Sequence, residues 1–494
     1  TTDETGKITH YNVMYLDDVV RCALPFMFPG TDFNHFEAWS FKMTKDAEME
    51  LETDIRGGML QKIAKGVKSR KNGLPVRIIY DKQMPRDVLK RLMDRMCLSA
   101  VDTMMPSGRY QNHKDLMKFP KIALTATDAQ PLEYEKWPQI TPDWAQEISL
   151  IQAIRQRDRF LHVPYHSFDT YIQLLREAAI NPEVKGIKTT LYRLAKDSKV
   201  ISALIAAARN GKKVTVVIEL LARFDEASNI DWSKKMADAG INVITGVEGL
   251  KIHSKVTHIS ARYGDVAVIS TGNFHEGNAK AYTDFMQFTA CRPIVSDVER
   301  VFDFIEKPYL PVRFKELIVS PNNMRTKLAA LINQEIKNHQ RGLPAQILCK
   351  LNHITDEGIV KRLYEAAAAG VKVNLLVRGN CSLVSDLPQL AGNMRVNAII
   401  DRYLEHSRIL IFANGTDLDH PEIIEEDGSH NDYLVYVGSA DWMPRNLDHR
   451  IEVYAPVFDK EIKREAKMVV DYGMRNERNV FRSQEELYKY YAKK

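Results

Sequence analysis

A histidine and a lysine stand two residues apart in the segment Gly249-Leu-Lys-Ile-His-Ser-Lys255. A neutral imidazole can attack phosphorus, and a lysine beside it can hold an anionic phosphoryl group as a point charge. If the segment is a β-strand, His253 and Lys255 point to the same face, because side chains in a strand alternate between two faces. These two residues therefore predict a phosphoryl-transfer site with His253 as the nucleophile.

The motif returns in altered form as Glu405-His-Ser-Arg-Ile409. Each copy is followed by a similar turn, Thr271-Gly-Asn273 after the first and Gly438-Ser-Ala-Asp441 after the second. A lone histidine is usually a surface group or a satisfied core group, but two copies in matching surroundings indicate a shared function. We therefore place His406 at the same catalytic centre as His253.

Two acids occupy corresponding places after the two turns, Asp284 and Glu452. A histidine nucleophile needs an acceptor at its other ring nitrogen, because that hydrogen bond fixes the tautomer. We expect Asp284 and Glu452 to orient the two histidines. The sequence leaves open which acid serves which histidine.

Lysine and arginine residues surround the two histidines, and many of them follow the ends of predicted strands, where α/β sheets place ligand sites. These residues are Lys188, Arg193, Lys196, Arg223, Lys251, Lys255, Arg378, Arg402, Arg408, Arg445 and Arg450. Arginine binds phosphate through two parallel hydrogen bonds, so a row of such side chains suits a polyanion. The sequence has no Walker-type loop and no kinase Gly-rich loop, so any nucleotide would bind by another route.

The elements that must position these residues alternate between strand and helix from about residue 143 onward. The order in the first half returns in the second: a helix over 199–210 closed by Gly211 matches a helix over 355–369 closed by Gly370. The alternation predicts a largely parallel sheet covered on both faces. The duplication predicts two α/β halves that share a fold and face each other across the active site.

Length and composition are those of a globular chain with about three domains: 494 residues, 45% hydrophobic and 27% charged. Clusters of prolines mark two boundaries. We predict a mixed α+β head domain over residues 1–140, a first catalytic domain over 141–320 and a second over 321–494.

The remaining bulk features exclude several classes. The net charge of +5 is too mild to indicate nucleic acid by itself, and no apolar run approaches the ~20 residues that cross a bilayer. No secretory leader opens the sequence, and the start at Thr1 rather than Met suggests a trimmed chain. The 5 cysteines lack metal-ligand spacing and predict reduced thiols in a cytoplasmic protein.

These motifs resemble bacterial polyphosphate kinase of the phospholipase-D-like type, and the resemblance covers essentially the whole chain. The segments that carry it span residues 190–198, 221–226, 249–255, 271–274, 376–379, 403–406 and 439–443. The resemblance implies two duplicated phospholipase-D-like α/β domains behind the head domain. It also implies reversible transfer of the terminal phosphate of ATP to inorganic polyphosphate, through a phosphohistidine at His253.

The same resemblance assigns residues to the substrates. It implies nucleotide contacts at Tyr282, Arg378 and His406 and a further phosphate contact at Arg450, and Arg408 stands beside them as another cation for phosphate. The positions that the family associates with magnesium fall on Arg193 and Arg223. Because a guanidinium has no lone pair to give a metal, we expect these two arginines to grip phosphates whose oxygens bind Mg²⁺.

The family resemblance begins inside the second, or head, domain of the family. We therefore expect the family's N-terminal domain, which helps to bind the nucleotide base, to be absent, and ATP turnover by these residues alone to be slow. The expected partners are ATP or ADP and polyphosphate, without nucleic acid. The resemblance also implies a homo-oligomer, a dimer or tetramer, and peripheral association with membranes.

Two alternatives remain. A phospholipase-D-like phosphodiesterase acting on lipid or nucleic acid would use the same histidine with water or an alcohol as acceptor, although Ser260 stands where that motif has Asp and Arg408 where it has Lys. A non-enzymatic polyphosphate- or nucleic-acid-binding module would need the basic residues. It would not need a duplicated pair of histidine and cation.

Overall fold

The computed structural model describes residues 13–45, 75–96, 104–113, 116, 134–192, 195, 197–219, 226–247, 249–420 and 432–494. The chain divides into two compact units, Thr1–Tyr134 and Glu135–Lys494, which are described separately below. No helix in the described ranges combines the length and the apolar character that a membrane crossing requires.

The first unit contains a three-stranded sheet. Strand β2 (Pro75–Asp81) lies in the centre, antiparallel to β1 (Phe41–Lys45) and parallel to β3 (Met104–Ser107). The described residues of this unit also form the helices α1 (Leu16–Met27) and α2 (Arg86–Arg95). These elements agree with the mixed α+β composition predicted for the head domain.

The second unit holds two halves, and the first half carries most of its helices between strands. In chain order its elements are α3 (Leu150–Gln156), β4 (Arg159–Val163), α4 (Asp169–Ile180), β5 (Val184–Leu191), α5 (Lys199–Arg209), β6 (Lys213–Ile218), α6 (Glu226–Asp238), β7 (Asn242–Ile244), β8 (Lys251–Ile252), β9 (Val256–Ala261), β10 (Val266–Ser270), β11 (Tyr282–Thr289) and α7 (Arg292–Glu306).

The second half repeats this plan. Its elements are β12 (Ile318–Ser320), α8 (Met324–Gln340), β13 (Gln346–Leu351), α9 (Glu357–Ala368), β14 (Lys372–Val377), β15 (Met394–Asn397), β16 (Leu404–Glu405), β17 (Arg408–Phe412), β18 (Leu434–Gly438), α10 (Pro444–Asp448), β19 (Arg450–Pro456), α11 (Lys460–Met474) and α12 (Ser483–Lys493).

The two sheets have the same strand order, which confirms the predicted duplication of the α/β fold. The first runs β11-β10-β9-β5-β6-β7, with β4 also paired to β11. The second runs β12-β19-β18-β17-β13-β14-β15. Strand by strand, β12 and β19 take the places of β4 and β11.

The prediction of a largely parallel sheet is wrong, because both sheets are mixed. In the first sheet β5, β6 and β7 run parallel, whereas β9, β10, β11 and β4 pair antiparallel. The reason is the connection between strands: β9, β10 and β11 follow one another without an intervening α-helix. Strands joined by short loops pair antiparallel, whereas a parallel pair needs a longer crossover.

Matching helices in the two halves have the same kinds of N-terminal and C-terminal caps. The hydroxyl of Ser198 accepts a hydrogen bond from the backbone N–H of Ile201 at the start of α5, and Asp356 does the same for Ile359 at the start of α9. Beyond the ends of these helices, Gly211 and Gly370 have φ values of 78° and 103°. Glycine adopts this left-handed region without steric cost, so these residues end the helices that precede β6 and β14.

Each half lends a two-residue strand to the sheet of the other half. Strand β8 of the first half pairs parallel with β19, and β16 of the second half pairs parallel with β11. Each lent strand immediately precedes one of the two histidines. The exchange therefore fixes each histidine against the opposite half.

Apolar packing continues across the contact between the halves. Phe302 of α7 belongs to the same buried cluster as Ile451 and Val453 of β19. Phe285 of β11 lies in a second cluster with Val470 of α11. Burying one such side chain stabilises the fold by about 1.5–3 kcal/mol, so these clusters hold the two halves together.

Candidate active site

His253 lies in a three-residue connection between β8 and β9. The prediction that His253 and Lys255 share one strand is wrong: β8 pairs with the second half and β9 with the first, so the chain changes sheets between these two residues. The backbone N–H of His253 donates to the carbonyl oxygen of Ile451 at 3.0 Å. Lys255 turns its ammonium group to the carbonyl oxygen of His253.

The two histidines are held by crossed carboxylates. Nδ1 of His253 lies 2.9 Å from the carboxylate of Glu452, and Nδ1 of His406 lies 2.9 Å from both oxygens of Asp284. Each imidazole is 15% exposed, whereas the two acids are 0% and 5% exposed. The predicted candidates thus meet, and each histidine is oriented by the acid of the other half.

The turns recognised in the sequence supply the groups that hold the acids. The hydroxyl of Ser439 donates to Glu452 at 2.5 Å, and the hydroxyl of Thr271 donates to Asp284 at 2.7 Å. Sequence reasoning noticed these turns but missed the role of the hydroxyls. The signal was the shared hydroxyl residue at the matching place in each turn.

Gly272 shows how closely the first turn approaches its acid. A Cβ at this position would lie 2.0 Å from Oδ2 of Asp284, well inside van der Waals contact. Only a residue without a side chain fits there. Beside the other acid, the side-chain amide of Asn446 donates to Glu452 at 2.6 Å, an interaction that the sequence did not predict.

Burial and charge set the protonation of the first histidine. Burial lowers the pKa of His253 to about 3, although Glu452 opposes this shift. Burial by itself would raise the pKa of Glu452. The hydrogen bond and charge of His253 and the charge of Lys255 outweigh burial, so the pKa of Glu452 lies below its usual value. At neutral pH the imidazole is therefore neutral, with Nδ1–H donating to an ionised carboxylate and the lone pair on Nε2.

The second histidine has a cation directly against its ring. Nη1 of Arg408 lies 3.3 Å from Nδ1 and 3.2 Å from Nε2 of His406, and it donates to the carbonyl oxygen of His406 at 2.8 Å. Arg408 also pairs with Asp441 at 3.0 Å. Burial lowers the pKa of His406, and Arg408 adds to that shift. His406 is thus neutral as well.

Other cations lie around the two histidine–carboxylate pairs, His253 with Glu452 and His406 with Asp284, which are called the dyads below. Burial lowers the pKa of Lys255 to about 7, and the neighbouring charges of Arg408 and Arg450 act in the same direction. Arg450 lies 3.9 Å from the carboxylate of Glu452. Like charges collected in a partly buried site are unfavourable without anions, so this arrangement favours a multiply charged anionic ligand.

The three residues that the resemblance assigns to the nucleotide come together from both halves. The ring of Tyr282, from the first half, lies 5.2 Å from the imidazole of His406 between centroids. Arg378 is half-buried at the end of β14, and its hydrogen-bond partner Asn352 also donates to the carbonyl oxygen of His406. The predicted nucleotide contacts therefore form one surface rather than three separate positions.

Some of the predicted cations lie elsewhere. Lys188 sits 6.0 Å above the ring of Phe302, and Arg402 stacks 3.7 Å from the ring of Trp137. Lys251, in contrast, stays near the site: it lies 5.7 Å from the ring of Tyr192, which is 5.2 Å from the imidazole of His253. Three further predicted cations, including both magnesium-associated arginines, lie outside the described residues: Arg193, Lys196 and Arg223.

A buried ion pair beside His406 was not predicted. Nζ of Lys350 lies 2.8 Å from the carboxylate of Glu405, and the two side chains are 2% and 7% exposed. Glu405 also accepts hydrogen bonds of 2.7 Å from Thr283 of the first half and 2.7 Å from Gln484 of α12. These bonds compensate the buried charges and fix the segment that carries His406.

Within the described ranges, no group of three or more His, Cys, Asp or Glu residues could hold a metal ion. The carboxylates nearest the histidines already accept hydrogen bonds from imidazole and hydroxyl groups. The described residues therefore do not form a magnesium site made of protein ligands alone.

Comparisons with known proteins agree with this architecture. Three family models match the chain: the polyphosphate kinase middle domain over residues 4–119, its C-terminal domain 1 over 149–311 and its C-terminal domain 2 over 317–494. Polyphosphate kinase of Escherichia coli K12 is 43% identical over 467 residues, which cover 93% of this chain and 65% of that protein. Polyphosphate kinase of Vibrio parahaemolyticus is 42% identical and is covered to 64%, so this chain spans less than two thirds of the length of these relatives.

A solved structure shows the same fold. The crystal structure of polyphosphate kinase from Porphyromonas gingivalis superimposes with a TM-score of 0.79 at 34% sequence identity. The match covers 97% of this chain and 70% of that one. With the family models and the curated relatives, this agreement confirms the predicted resemblance: the chain belongs to the polyphosphate kinase family.

Proposed function

We propose that this protein is a polyphosphate kinase, an ATP:polyphosphate phosphotransferase that works through a phosphohistidine on His253. The observation that carries the proposal is the crossed pair of neutral histidines. Each one is held at Nδ1 by a buried carboxylate of the other half, amid an excess of cations. Two oriented imidazoles facing a polyanion site suit phosphoryl transfer better than binding alone.

His253 is prepared for attack in the resting protein. Its side-chain hydrogen bond is made through Nδ1, to Glu452, and this bond leaves the lone pair of Nε2 for phosphorus. In the first step a bond forms between Nε2 and the γ-phosphorus, the bond from that phosphorus to the β–γ bridging oxygen breaks, and ADP leaves with the electron pair. Glu452 stabilises the positive charge that develops on the imidazole.

The second step returns the protein to its resting state. A terminal oxygen of polyphosphate attacks the phosphorus, and the N–P bond breaks, which lengthens the polymer by one phosphate. Lys255, Arg408 and Arg450 surround the dyads and would neutralise the oxygens of a loose transition state. Because each step exchanges one phosphate bond for another, the reaction runs in both directions.

His406 lies at the same centre but differs in its setting. Arg408 against its ring and burial both disfavour the imidazolium form, so His406 starts as a neutral group in the free protein. An arriving polyanion favours protonation. We propose that His406 then serves as proton donor or electrostatic partner to the phosphate in transit.

Magnesium enters this proposal with the substrate. Since the described residues do not form a ligand set for it, we assign Mg²⁺ to the phosphate oxygens of ATP and polyphosphate, where it would neutralise charge. Assembly into a dimer or tetramer, peripheral association with a membrane and a cytoplasmic location stay predictions from the resemblance.

The proposal is tested by incubating the protein with ATP labelled at the γ-phosphate. We expect an acid-labile label on His253 that returns to ADP when ADP is added and moves to the polymer when polyphosphate is added. His253→Ala should lose the label.

His406→Ala is the matched control for the loss of an imidazole, and we expect it to retain some label on His253. Label that persists undiminished in His253→Ala would contradict the assignment. Label that reaches only water or an alcohol would instead favour the phosphodiesterase alternative.

A further inference from the structure

Arg378 is a half-buried cation at the end of β14. Among the described residues it forms no ion pair, and its guanidinium makes one side-chain hydrogen bond, from Nε to Oδ1 of Asn352 at 2.7 Å. Burial and the neighbouring charge of Arg408 both lower its pKa. A partly desolvated guanidinium with donors to spare is a site for an anion.

Asn352, which accepts the hydrogen bond from Arg378, is buried and makes two further hydrogen bonds of its own. It is 1% exposed and follows β13, the parallel neighbour of β14. Its side-chain amide donates to the carbonyl oxygen of His406 at 3.2 Å, and its backbone N–H donates to Oδ1 of Asp441 at 2.8 Å. One residue thus links Arg378, the backbone of His406 and the carboxylate that pairs with Arg408.

The amide has one orientation that serves both neighbours. Its oxygen must face Nε of Arg378, which can only donate, and its nitrogen must face the carbonyl oxygen of His406, which can only accept. The oxygen aims the guanidinium without neutralising it. A carboxylate in the same place would form an ion pair with Arg378 and compete with any phosphate.

The corresponding places in the first half hold different residues. Tyr192 follows β5 as Asn352 follows β13, and its ring lies 5.2 Å from the imidazole of His253. Glu219 follows β6 as Arg378 follows β14, and its carboxylate accepts the backbone N–H of Ile252 at 3.0 Å. The pairing of a neutral amide with an arginine therefore marks the second half.

We propose that Asn352 is a positioning residue that aims Arg378 at a phosphate of the nucleotide and ties it to His406. The inference rests on the proposed function for the identity of the ligand. A neutral side chain at position 352 keeps the charge of Arg378 available for the substrate.

The decisive comparison is between Asn352→Asp and Asn352→Ala in the 494-residue chain. Both variants lose the amide that donates to the carbonyl oxygen of His406, and they differ in the negative charge that Asp places beside Nε of Arg378. Positioning therefore predicts that Asp weakens ligand binding more than Ala does. The new carboxylate should capture Arg378 and weaken ADP binding by roughly 30- to 100-fold, against roughly 10-fold for Ala, in the range of a lost charge-assisted bond. The KM for ATP should rise in parallel, with a smaller fall in kcat.

A double-mutant cycle makes the test specific to Arg378. In an Arg378→Ala background, Asn352→Asp should change ADP binding less than about threefold, because the residue it acts through is gone. Asn397→Asp is the matched control: the amide oxygen of Asn397 accepts from the backbone N–H of Ala398, and its nitrogen donates to the carbonyl oxygen of Gly473. We expect this control to leave ADP binding unchanged.

Binding of ADP and of tripolyphosphate is measured by calorimetry, with thermal unfolding as a check on folding. Wild-type ADP affinity in Asn352→Asp, or additive effects with Arg378→Ala, would overturn the inference. If Asn352→Asp fails to fold, unchanged ADP binding by Asn352→Ala would overturn it equally.

Failure of the proposed function would look different. In that case the wild-type protein would form no phosphohistidine from ATP, while weaker tripolyphosphate binding by Asn352→Asp would still support the aiming of Arg378 at phosphate.

Discussion

The two histidine sites are built on one plan and differ in the cation beside each ring. Both imidazoles donate from Nδ1 to an acid of the opposite half at 2.9 Å. Beside His253 the cation is Lys255, whose pKa burial lowers to about 7. Beside His406 it is Arg408, which keeps its charge and pairs with Asp441. The first site therefore combines the proposed nucleophile with a cation that can lose its proton, and the second holds fixed positive charge.

The buried residues next to the histidines also differ in charge between the two halves. The second half buries Lys350 and Glu405 as an ion pair, whereas the corresponding places in the first half hold Thr190 and Ile252. Thr190 donates through its hydroxyl to the carbonyl oxygen of Ser254 at 2.7 Å. The two halves thus share the backbone plan and the histidine–carboxylate pairs, and they differ in the side chains around them.

The largest effect should come from removing the charge that orients the nucleophile. Glu452→Gln keeps the shape but lets the imidazole adopt the tautomer in which Nε2 carries the proton, so attack becomes difficult. We expect phosphohistidine formation to slow by roughly 10²–10⁴-fold. Rapid-quench measurement with γ-labelled ATP checks this value. Asp284→Asn is the matched variant of the other dyad, and if it slows labelling as much as Glu452→Gln, the two sites are functionally equivalent.

The buried pair of the second half should matter for stability rather than for chemistry. Glu405→Ile leaves Lys350 charged and unpaired in the interior, which should cost about 3–5 kcal/mol. The double variant Lys350→Thr with Glu405→Ile copies the first half and removes both charges, so it should recover part of the loss. Urea unfolding midpoints test this order. A double variant less stable than Glu405→Ile would contradict this order. It would show that the ion pair makes a net favourable contribution to the free energy of unfolding.

Arg378→Ala tests the asymmetry at the strand ends. The variant should raise the KM for ATP by roughly 10- to 150-fold, the equivalent of about 1.5–3 kcal/mol for a lost charge-assisted bond. Lys188→Ala serves as control, because Lys188 lies over the ring of Phe302. Equal KM values for the two folded variants would contradict the assignment of Arg378 as a nucleotide contact specific to the second half.

The smallest expected effect is on the pH dependence of kcat/KM. Lys255 has a lowered pKa of about 7, so its positive charge is present below that pH and is lost as the pH rises through it. We expect kcat/KM to fall by up to about tenfold across neutral pH for that reason. Lys255→Arg, which imitates the second half, should flatten this limb because arginine does not titrate there. A wild-type profile that is flat from about pH 6 to 9 would contradict the assignment of the lowered pKa to a phosphate-binding lysine.

Several residues show how far sequence reasoning reached. The repeated motif led to His253 and His406, and the repeated position led to Asp284 and Glu452. The pairing between them stayed open because a duplication fits acids that act within a half as well as acids that act across halves. In the fold the two pairs join residues 199 and 122 positions apart, a separation at which local pattern carries no information. The parallel sheet was mispredicted for a related reason: strand direction depends on connections that hydrophobic pattern does not encode.

The sequence by itself determined the duplicated α/β order, the two histidines with their cations at the second following position, and the two acids that could orient them. These features follow from residue type and spacing, which local geometry expresses directly. Only the tertiary structure decided that each half lends a strand to the other, that the dyads are crossed, and that Asn352 joins Arg378 to His406. Such contacts depend on how two sheets pack through shared apolar clusters, and that packing is a property of the whole chain rather than of any segment.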